Sequence, residues 1–191
     1  MFTIYDSDEE TFFVDVYYED KIYLLVGNLS YVKSYDYYNN KLYYQYSDKQ
    51  NCGTPHTNMI IIKKEENIIL IESSLRYIRI WNFHTGKLLN RICSDKSINS
   101  IFLWDNNFLF AGCNKGIIRL LELSENKFIE EFPIINELDN AVQSKTIFQK
   151  IIHPKYGECL MCKLITNKKI NIIIKNKEIN SFNLFKEIFL N

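Results

Sequence analysis

Few residues of this chain have the types and the spacing that metal binding or catalysis requires. Cys159 and Cys162 form a CxxC pair, the spacing found in zinc sites and in redox-active thiols. A zinc site needs a second pair of ligands, and a redox pair normally opens a helix. This pair lies inside an apolar run typical of a strand, where positions three apart point to opposite faces. We therefore interpret both cysteines as buried structural thiols and predict no metal site.

The three histidines, His56, His84 and His153, support catalysis no better. A catalytic histidine needs a partner that exchanges its proton, and none can be assigned from the sequence. Acid pairs such as Glu65-Glu66 stand in turns or at strand edges, where solvation is their usual role. The six glycines are scattered singly, so no glycine-rich phosphate loop is present. We predict that the protein is not an enzyme and takes no cofactor and no small-molecule substrate.

Charge and hydropathy exclude two further classes of partner. Lys and Arg total 23, as do Asp and Glu, so the net charge is zero. Neither the basic stripe of a nucleic-acid-binding protein nor the polybasic cluster of a membrane-surface protein is present. No apolar run approaches the roughly 18 residues that cross a bilayer. We predict no nucleic acid and no membrane as partner.

The cysteine count and the first residues bear on the compartment. The first ten residues carry four acids and no base, unlike a signal peptide. Five cysteines, an odd number, without an export signal indicate reduced thiols. We predict the cytoplasm by default, with the nucleus left open.

A repeat indicates which elements would position any site. The apolar segment that leads into Trp81 has three further copies along the chain. The residues at the Trp81 position, which we call the anchors, are Tyr35, Trp81, Leu121 and Ile173. The anchors are 46, 40 and 52 positions apart. These spacings bracket the roughly 40–45-residue period of a four-stranded propeller blade.

Strand-sized runs precede and follow each anchor. The run before it ends in small or polar residues, as in Phe108–Gly112, which would let a neighbouring sheet pack closely. After it come a turn and an outer strand, as in Thr85-Gly86-Lys87 followed by Leu88–Ile92. Aromatic and β-branched residues with turns at this rhythm favour strands over helices. Only Leu184–Leu190 has a helix-like apolar spacing, for which a short terminal helix and a disordered tail are both open.

These residues resemble the WD40-repeat β-propellers over roughly residues 12–174. Arg79-Ile80-Trp81-Asn82 stands where the family has its Trp-Asp dipeptide, and Tyr35-Asp36 and Leu121-Glu122 are more divergent copies. The resemblance implies an all-β fold of about four four-stranded antiparallel sheets, in a single repeat domain over residues 1–191. The approximate blades are 11–46, 58–92, 98–132 and 146–182. Because a seven-bladed ring would need three more repeats, we expect a partial or open ring.

The resemblance also implies how a blade is held together. In the family, an Asp in the turn before the third strand pairs with a His and a Ser. The matching positions here hold no Asp, but Leu29, Leu75, Lys115 and Asn167. His56 and either Ser73 or Ser74 would stand for the His and Ser of the second blade, alongside Trp81. We expect this network to be incomplete, with stability supplied by packing of the 13 Phe and 13 Tyr residues.

The function that the resemblance implies is binding. WD40 propellers present loops on two faces and usually act as platforms for proteins or peptides. The predicted partner-binding residues lie near one such face and are Leu29, Tyr31, His56, Arg76, Tyr77 and Lys115. Aromatic and Arg side chains often carry interface energy, although Tyr31 and Tyr77 would equally well pack where their strands begin. We predict a noncatalytic protein-interaction scaffold inside the cell. The alternative is a structural subunit or fragment that completes a larger propeller with another chain or with missing repeats.

Overall fold

The structure, a computed structural model, describes residues 13–18, 21–28, 31–48, 56–64, 66–134, 145–165, 169–176 and 181–189. Within these ranges the regular elements are strands, apart from one 3-10 turn at Asn114–Gly116. The chain forms two compact units, Met1–Ile98 and Asn99–Asn191.

The strands form four four-stranded antiparallel sheets, and each sheet takes four consecutive strands in chain order. The first sheet contains β1 (Phe13–Tyr18), β2 (Ile22–Gly27), β3 (Val32–Asp36) and β4 (Lys41–Tyr46). The second contains β5 (His56–Lys64), β6 (Asn67–Ser74), β7 (Tyr77–Asn82) and β8 (Leu88–Cys93). The third contains β9 (Ile98–Leu103), β10 (Phe108–Cys113), β11 (Ile117–Glu122) and β12 (Lys127–Pro133). The fourth contains β13 (Thr146–His153), β14 (Gly157–Leu164), β15 (Lys169–Asn176) and β16 (Ser181–Phe189). The predicted all-β fold of about four such sheets is confirmed.

All four sheets have a β-bulge at the same place. The register between the third and fourth strands shifts immediately before the anchor, at Ser34/Tyr35, Ile80/Trp81, Leu120/Leu121 and Ile172/Ile173. One extra residue on the fourth strand opposes each shift, which bends that strand and increases its twist. The four anchors are thus structurally equivalent. We call the face of each sheet that carries the anchor its anchor face, and the other its opposite face.

In the first unit, the opposite face of the first sheet packs on the anchor face of the second. The buried core of this contact contains Tyr23, Leu25, Val32, Tyr46, Met59, Ile68, Leu70, Trp81 and Phe83. The ring centroid of Tyr46 lies 6.0 Å from that of Trp81 and 6.1 Å from that of Phe83. Aromatic side chains therefore supply much of this core, as the sequence predicts.

The second unit follows the same packing rule. The opposite face of the third sheet packs on the anchor face of the fourth through Trp104, Phe108, Phe110, Ile118, Leu120, Phe132, Ile134, Leu160, Cys162, Leu164, Ile173 and Phe182. Phe182 lies edge-to-face with Trp104, Phe108 and Phe110. In both units, then, an opposite face meets the anchor face of the sheet that follows it in the chain.

Gly112 shows why small residues end the second strand of a sheet. A Cβ atom at Gly112 would lie 2.5 Å from Ser100 Oγ and 2.6 Å from the Cβ atom of Thr146. Thr146 begins the fourth sheet, so the missing side chain allows two sheets of the second unit to approach closely.

The helix considered for Leu184–Leu190 is wrong over the described residues. Residues up to Phe189 belong to β16, which pairs with β15 along its length. The bulge explains the misleading pattern. Ile172 pairs with Lys186 and Ile173 with Leu184, so Phe185 is the extra residue. An extra residue shifts the alternation of a strand by one, and the resulting apolar spacing imitates that of a helix.

Candidate functional site

A chain of charged side chains is buried in the first unit, on the anchor face of the second sheet. Glu72 Oε2 lies 2.8 Å from His56 Nδ1, and Glu72 Oε1 accepts a hydrogen bond from Arg79 Nη1 at 2.8 Å. Glu72 and Arg79 are direct partners in the β6–β7 register. All three side chains are at most 3% exposed. Because a carboxylate only accepts, His56 Nδ1 is the donor in its bond to Glu72.

The same chain of charges joins the two sheets of the first unit. Arg79 Nε and Arg91 Nη1 each lie 3.1 Å from Oδ2 of Asp48, which follows β4. Arg79 Nη1 also donates to Ser74 Oγ at 3.3 Å. Burial of charge is tolerated only when the members of such a network are paired and hydrogen-bonded. Here two carboxylates face two guanidinium groups, and together they fix the end of β4 against β6 and β7.

The second blade has Leu75 at the family's Asp position, and the acidic partner of His56 comes from another part of the blade. Glu72 supplies the carboxylate from inside β6, not from the turn at Leu75. The two serines lie in the same region, with Ser73 Oγ 3.0 Å from Thr57 Oγ1. Trp81 Nε1 is buried and has no hydrogen-bond partner within the described part of the chain. The network is therefore built from different residues than the resemblance implies.

The sequence analysis did not predict a role for Glu72, Arg79 or Asp48 in a buried network. The hairpin register could have indicated the pair of Glu72 and Arg79. Leu75 and Arg76 form a two-residue connection between apolar runs. Counting outward from such a hairpin places Glu72 opposite Arg79, and two opposite charges within apolar strands indicate a buried pair. Asp48 gives no comparable signal because its contacts cross between sheets.

The β6–β7 turn lies at one end of this network. The side chains of Leu75 and Arg76 are exposed. Their carbonyl oxygens, in contrast, are held: Leu75 O accepts from Ile98 N at 2.8 Å, and Arg76 O accepts from Ser94 N at 2.8 Å. The turn therefore has a fixed backbone and presents one apolar and one cationic side chain.

Tyr77, which follows this turn, rests on the two network arginines. Its half-buried ring has the guanidinium carbon of Arg79 at 5.1 Å and that of Arg91 at 5.7 Å from its centroid. Cations this close to an aromatic face are attracted to it. The buried network thus also fixes an aromatic side chain beside the exposed turn.

The β2–β3 turn lies at the same end of the first unit. Asn28 O accepts a hydrogen bond from His56 N at 3.3 Å, and His56 pairs with Ser74 at the end of β6. Asn28 Oδ1 accepts from Tyr31 N at 2.9 Å, and Lys33 Nζ lies 4.2 Å from the centroid of the half-buried Tyr31 ring. A second aromatic residue and a second cation therefore accompany the β6–β7 turn.

The six predicted partner-binding residues differ in their exposure and in the unit to which they belong. Arg76 is exposed, Tyr31 and Tyr77 are half-buried, and these three lie at one end of the first unit. His56 is at this end too, but it is buried inside the charged network. Lys115 belongs to the second unit, where it is exposed in the 3-10 turn with a left-handed φ of 58°. Leu29 lies outside the described residues. Of the anchors, Trp81, Leu121 and Ile173 are buried and Tyr35 is half-buried.

The remaining candidates for chemistry have local contacts. His84 Nδ1 lies 3.0 Å from Tyr43 Oη, and His153 Nδ1 accepts from Lys155 N at 3.2 Å. Burial raises the pKa of both the Cys159 and the Cys162 thiol. In the described ranges, no three His, Cys, Asp or Glu side chains are grouped so that they could hold a metal ion. The same ranges contain no helix of the length and hydropathy needed to cross a membrane.

Comparisons with known proteins bear on the fold. No protein-family model matches the sequence, and no curated protein matches it. The crystal structure of the WD40 β-propeller domain of Doa1 is similar, with a TM-score of 0.60 and 14% sequence identity. The alignment covers 92% of this chain and 52% of that chain, so this chain spans about half the length of the solved domain. With four bulged four-stranded sheets and this likeness, the chain has the fold of WD40-type β-propeller blades.

Proposed function

We propose that this protein is a noncatalytic protein-interaction scaffold that binds a protein or peptide at the β6–β7 end of its first unit. We call this region the interaction surface and define it by Tyr31, Leu75, Arg76 and Tyr77. The proposal rests on the β6–β7 turn, whose backbone is fixed by Ser94 and Ile98 while Leu75 and Arg76 remain exposed. The fold supports it as well, because WD40 propellers generally mediate protein interactions.

The composition of the interaction surface suits a protein partner. Tyr and Arg are enriched among the residues that dominate binding energy, and an adjacent apolar side chain gives them a surface to desolvate. A backbone that is already fixed loses little conformational entropy when a partner binds. The network beneath Tyr77 has the same effect, because Arg79 and Arg91 hold the ring in place before binding. A balanced net charge of zero favours a protein over nucleic acid as the partner.

We place this activity in the cytoplasm. Cys93, Cys159 and Cys162 are free thiols, which agrees with a reducing compartment.

Quantitative affinity capture of the full chain from cells that express it tests the proposal. The test variant is the double substitution Leu75→Asp with Arg76→Glu, which alters two exposed side chains and no member of the buried network. The matched control is Tyr38→Ala, since Tyr38 is 68% exposed in a turn at the other end of the first unit.

We expect wild type and Tyr38→Ala to retain the same proteins and the double variant to retain at least tenfold less of them. The leading captured protein is then purified and its binding to all three forms is measured by calorimetry. Equal binding by the double variant and wild type would show that this surface is not the site.

A further inference from the structure

Positive charges lie at several points of the interaction surface. Arg76 is exposed in the β6–β7 turn. Lys33 Nζ lies 4.2 Å from the centroid of the Tyr31 ring, and the guanidinium carbon of Arg91 lies 5.7 Å from the centroid of the Tyr77 ring. Each aromatic ring of this surface therefore has a cation beside it, and the turn adds a further one.

The carboxylates at this end of the first unit are held in internal pairs. The Glu72 side chain is completely buried and that of Asp48 is 9% exposed, and both bond to the network arginines. Asp95 is exposed, but its carboxylate lies 3.6 Å from Lys96 Nζ. The ion pairs among the described residues at this end leave Arg76 out, so its guanidinium is available to a partner.

The cations beside the two rings decide which charge a partner can bring. A ring attracts a cation to its face, but Tyr31 and Tyr77 already hold one each. A Lys or Arg side chain of a partner would be repelled by these charges and by Arg76. A carboxylate would be attracted by all of them, and a guanidinium such as that of Arg76 donates two parallel hydrogen bonds to a carboxylate.

We propose that the interaction surface binds an acidic segment of a protein partner, one that carries Asp or Glu side chains next to an apolar residue. The carboxylates contact Arg76 and the cations beside the two rings, and the apolar residue packs on Leu75 and Tyr77. This inference rests on the proposed function and specifies its class of partner. A nucleic acid fits less well, because its backbone offers nothing apolar to Leu75 and the chain carries no basic stripe.

Selection of random peptides displayed on phage against the immobilised full chain tests the class of partner. The same library is selected in parallel against Arg76→Glu and Lys41→Glu. Lys41→Glu is the matched control, because Lys41 is exposed at the start of β4, at the other end of the first unit, and the change in net charge is the same. We expect wild type and Lys41→Glu to enrich peptides rich in Asp and Glu and poor in Lys and Arg. Arg76→Glu should not retain these peptides.

Calorimetry with a synthetic copy of the most enriched peptide measures the contribution of charge. Replacement of its Asp and Glu residues by Asn and Gln should weaken binding about tenfold or more, because hydrogen bonds to charged groups are lost. Arg76→Ala should weaken binding of the acidic peptide by a similar factor and should hardly change binding of the Asn and Gln version. A rise from about 50 to about 300 mM NaCl should also weaken binding, since salt screens exposed charges. Circular dichroism checks that each variant is folded, and Arg76→Ala replaces Arg76→Glu in the selection if that variant is not.

The possible results separate this inference from the proposed function. Neutral or basic peptides that bind wild type but not Leu75→Asp would overturn the acidic partner and leave the interaction surface standing. Peptides that bind equally to wild type and to the double variant Leu75→Asp with Arg76→Glu lie elsewhere, which would count against both. A library that yields no peptide specific to wild type would overturn the acidic segment alone, since affinity capture tests the proposed function independently. A single-stranded RNA that binds wild type more tightly than the acidic peptide, and fails to bind Arg76→Glu, would assign the surface to nucleic acid instead.

Discussion

The carboxylate of Glu72 and the imidazole of His56 are hydrogen-bonded at 2.8 Å, and both side chains are almost completely buried. The β6–β7 turn holds Leu75 where the WD40 family has an Asp. The acid that bonds His56 is therefore supplied by Glu72 of β6. Glu72 also bonds Arg79, which in turn bonds Asp48 after β4. One carboxylate thus connects three strands of the second sheet to the end of the first, beneath the proposed interaction surface.

We expect Glu72→Ala to lower the free energy of unfolding by about 3–5 kcal/mol, because it leaves the buried guanidinium of Arg79 with one carboxylate partner fewer. Urea denaturation followed by circular dichroism measures the change. The matched control is Glu125→Ala, which removes an ion pair with Lys127, since these two side chains are 52% and 60% exposed. An exposed pair of this kind contributes at most about 1 kcal/mol.

The coupling between Glu72 and Arg79 can be measured directly. In a double-mutant cycle with Glu72→Ala and Arg79→Met, the double variant should lose less stability than the two single variants together, since it leaves neither charge uncompensated. Additive losses would contradict the pairing that the structure shows.

Gly112→Ala should destabilise the second unit by about 1–3 kcal/mol, because the new methyl group would overlap Ser100 and Thr146. Gly112→Val should destabilise the second unit further, since its side chain adds more atoms to the same gap. Thermal unfolding measures both. A Gly112→Ala protein as stable as wild type would mean that the third and fourth sheets are not packed as closely as the structure places them.

The fold could be predicted from the sequence because its determinants are local. The period of the anchors, the strand-sized apolar runs and the turn residues each specify a blade without knowledge of its neighbours. The 3.6-residue spacing at Leu184–Leu190 misled for a physical reason: the bulge at Phe185 shifts the alternation, and pairing with β15 overrides the local pattern.

The charged network was less predictable because it depends on contacts between sheets. The pair of Glu72 and Arg79 follows from hairpin register, whereas Asp48 reaches Arg79 across 31 positions. His56 shows the same dependence on distant contacts. It was predicted to bind a partner, but it lies buried between Glu72 and Asn28.

Tyr46 should make stability depend on pH in the alkaline range. Its hydroxyl donates to Phe83 O at 2.6 Å, and burial raises its pKa above the ordinary value of 10.0. In the unfolded chain Tyr46 ionises near its ordinary pKa, whereas the folded protein keeps it protonated. The stabilisation is therefore fully present below about pH 10 and is lost as the pH rises above it.

Tyr46→Phe isolates this effect. At neutral pH the variant should be less stable than wild type by about 1–3 kcal/mol, because a buried carbonyl oxygen loses its donor. That difference should shrink as the pH rises from about 10 to about 12, as measured by urea denaturation at each pH. Tyr38→Phe, at an exposed position, should instead follow the wild-type profile throughout.

Trp81 should stabilise the folded protein through the volume that its side chain fills and not through a hydrogen bond of its indole nitrogen. The side chain is 3% exposed, and Nε1 has no hydrogen-bond partner within the described ranges. Trp81→Ala should therefore cost about 3–5 kcal/mol by leaving a cavity between the first two sheets. Trp81→Phe keeps most of the apolar contact with Leu70 and Tyr46 and breaks no hydrogen bond, so it should cost less than half as much. Urea denaturation followed by circular dichroism compares the two, and equal losses would mean that Nε1 has a partner that stabilises the anchor. A small loss would show that this anchor is held by packing alone, the role that Leu121 and Ile173 have at the same position in the third and fourth sheets.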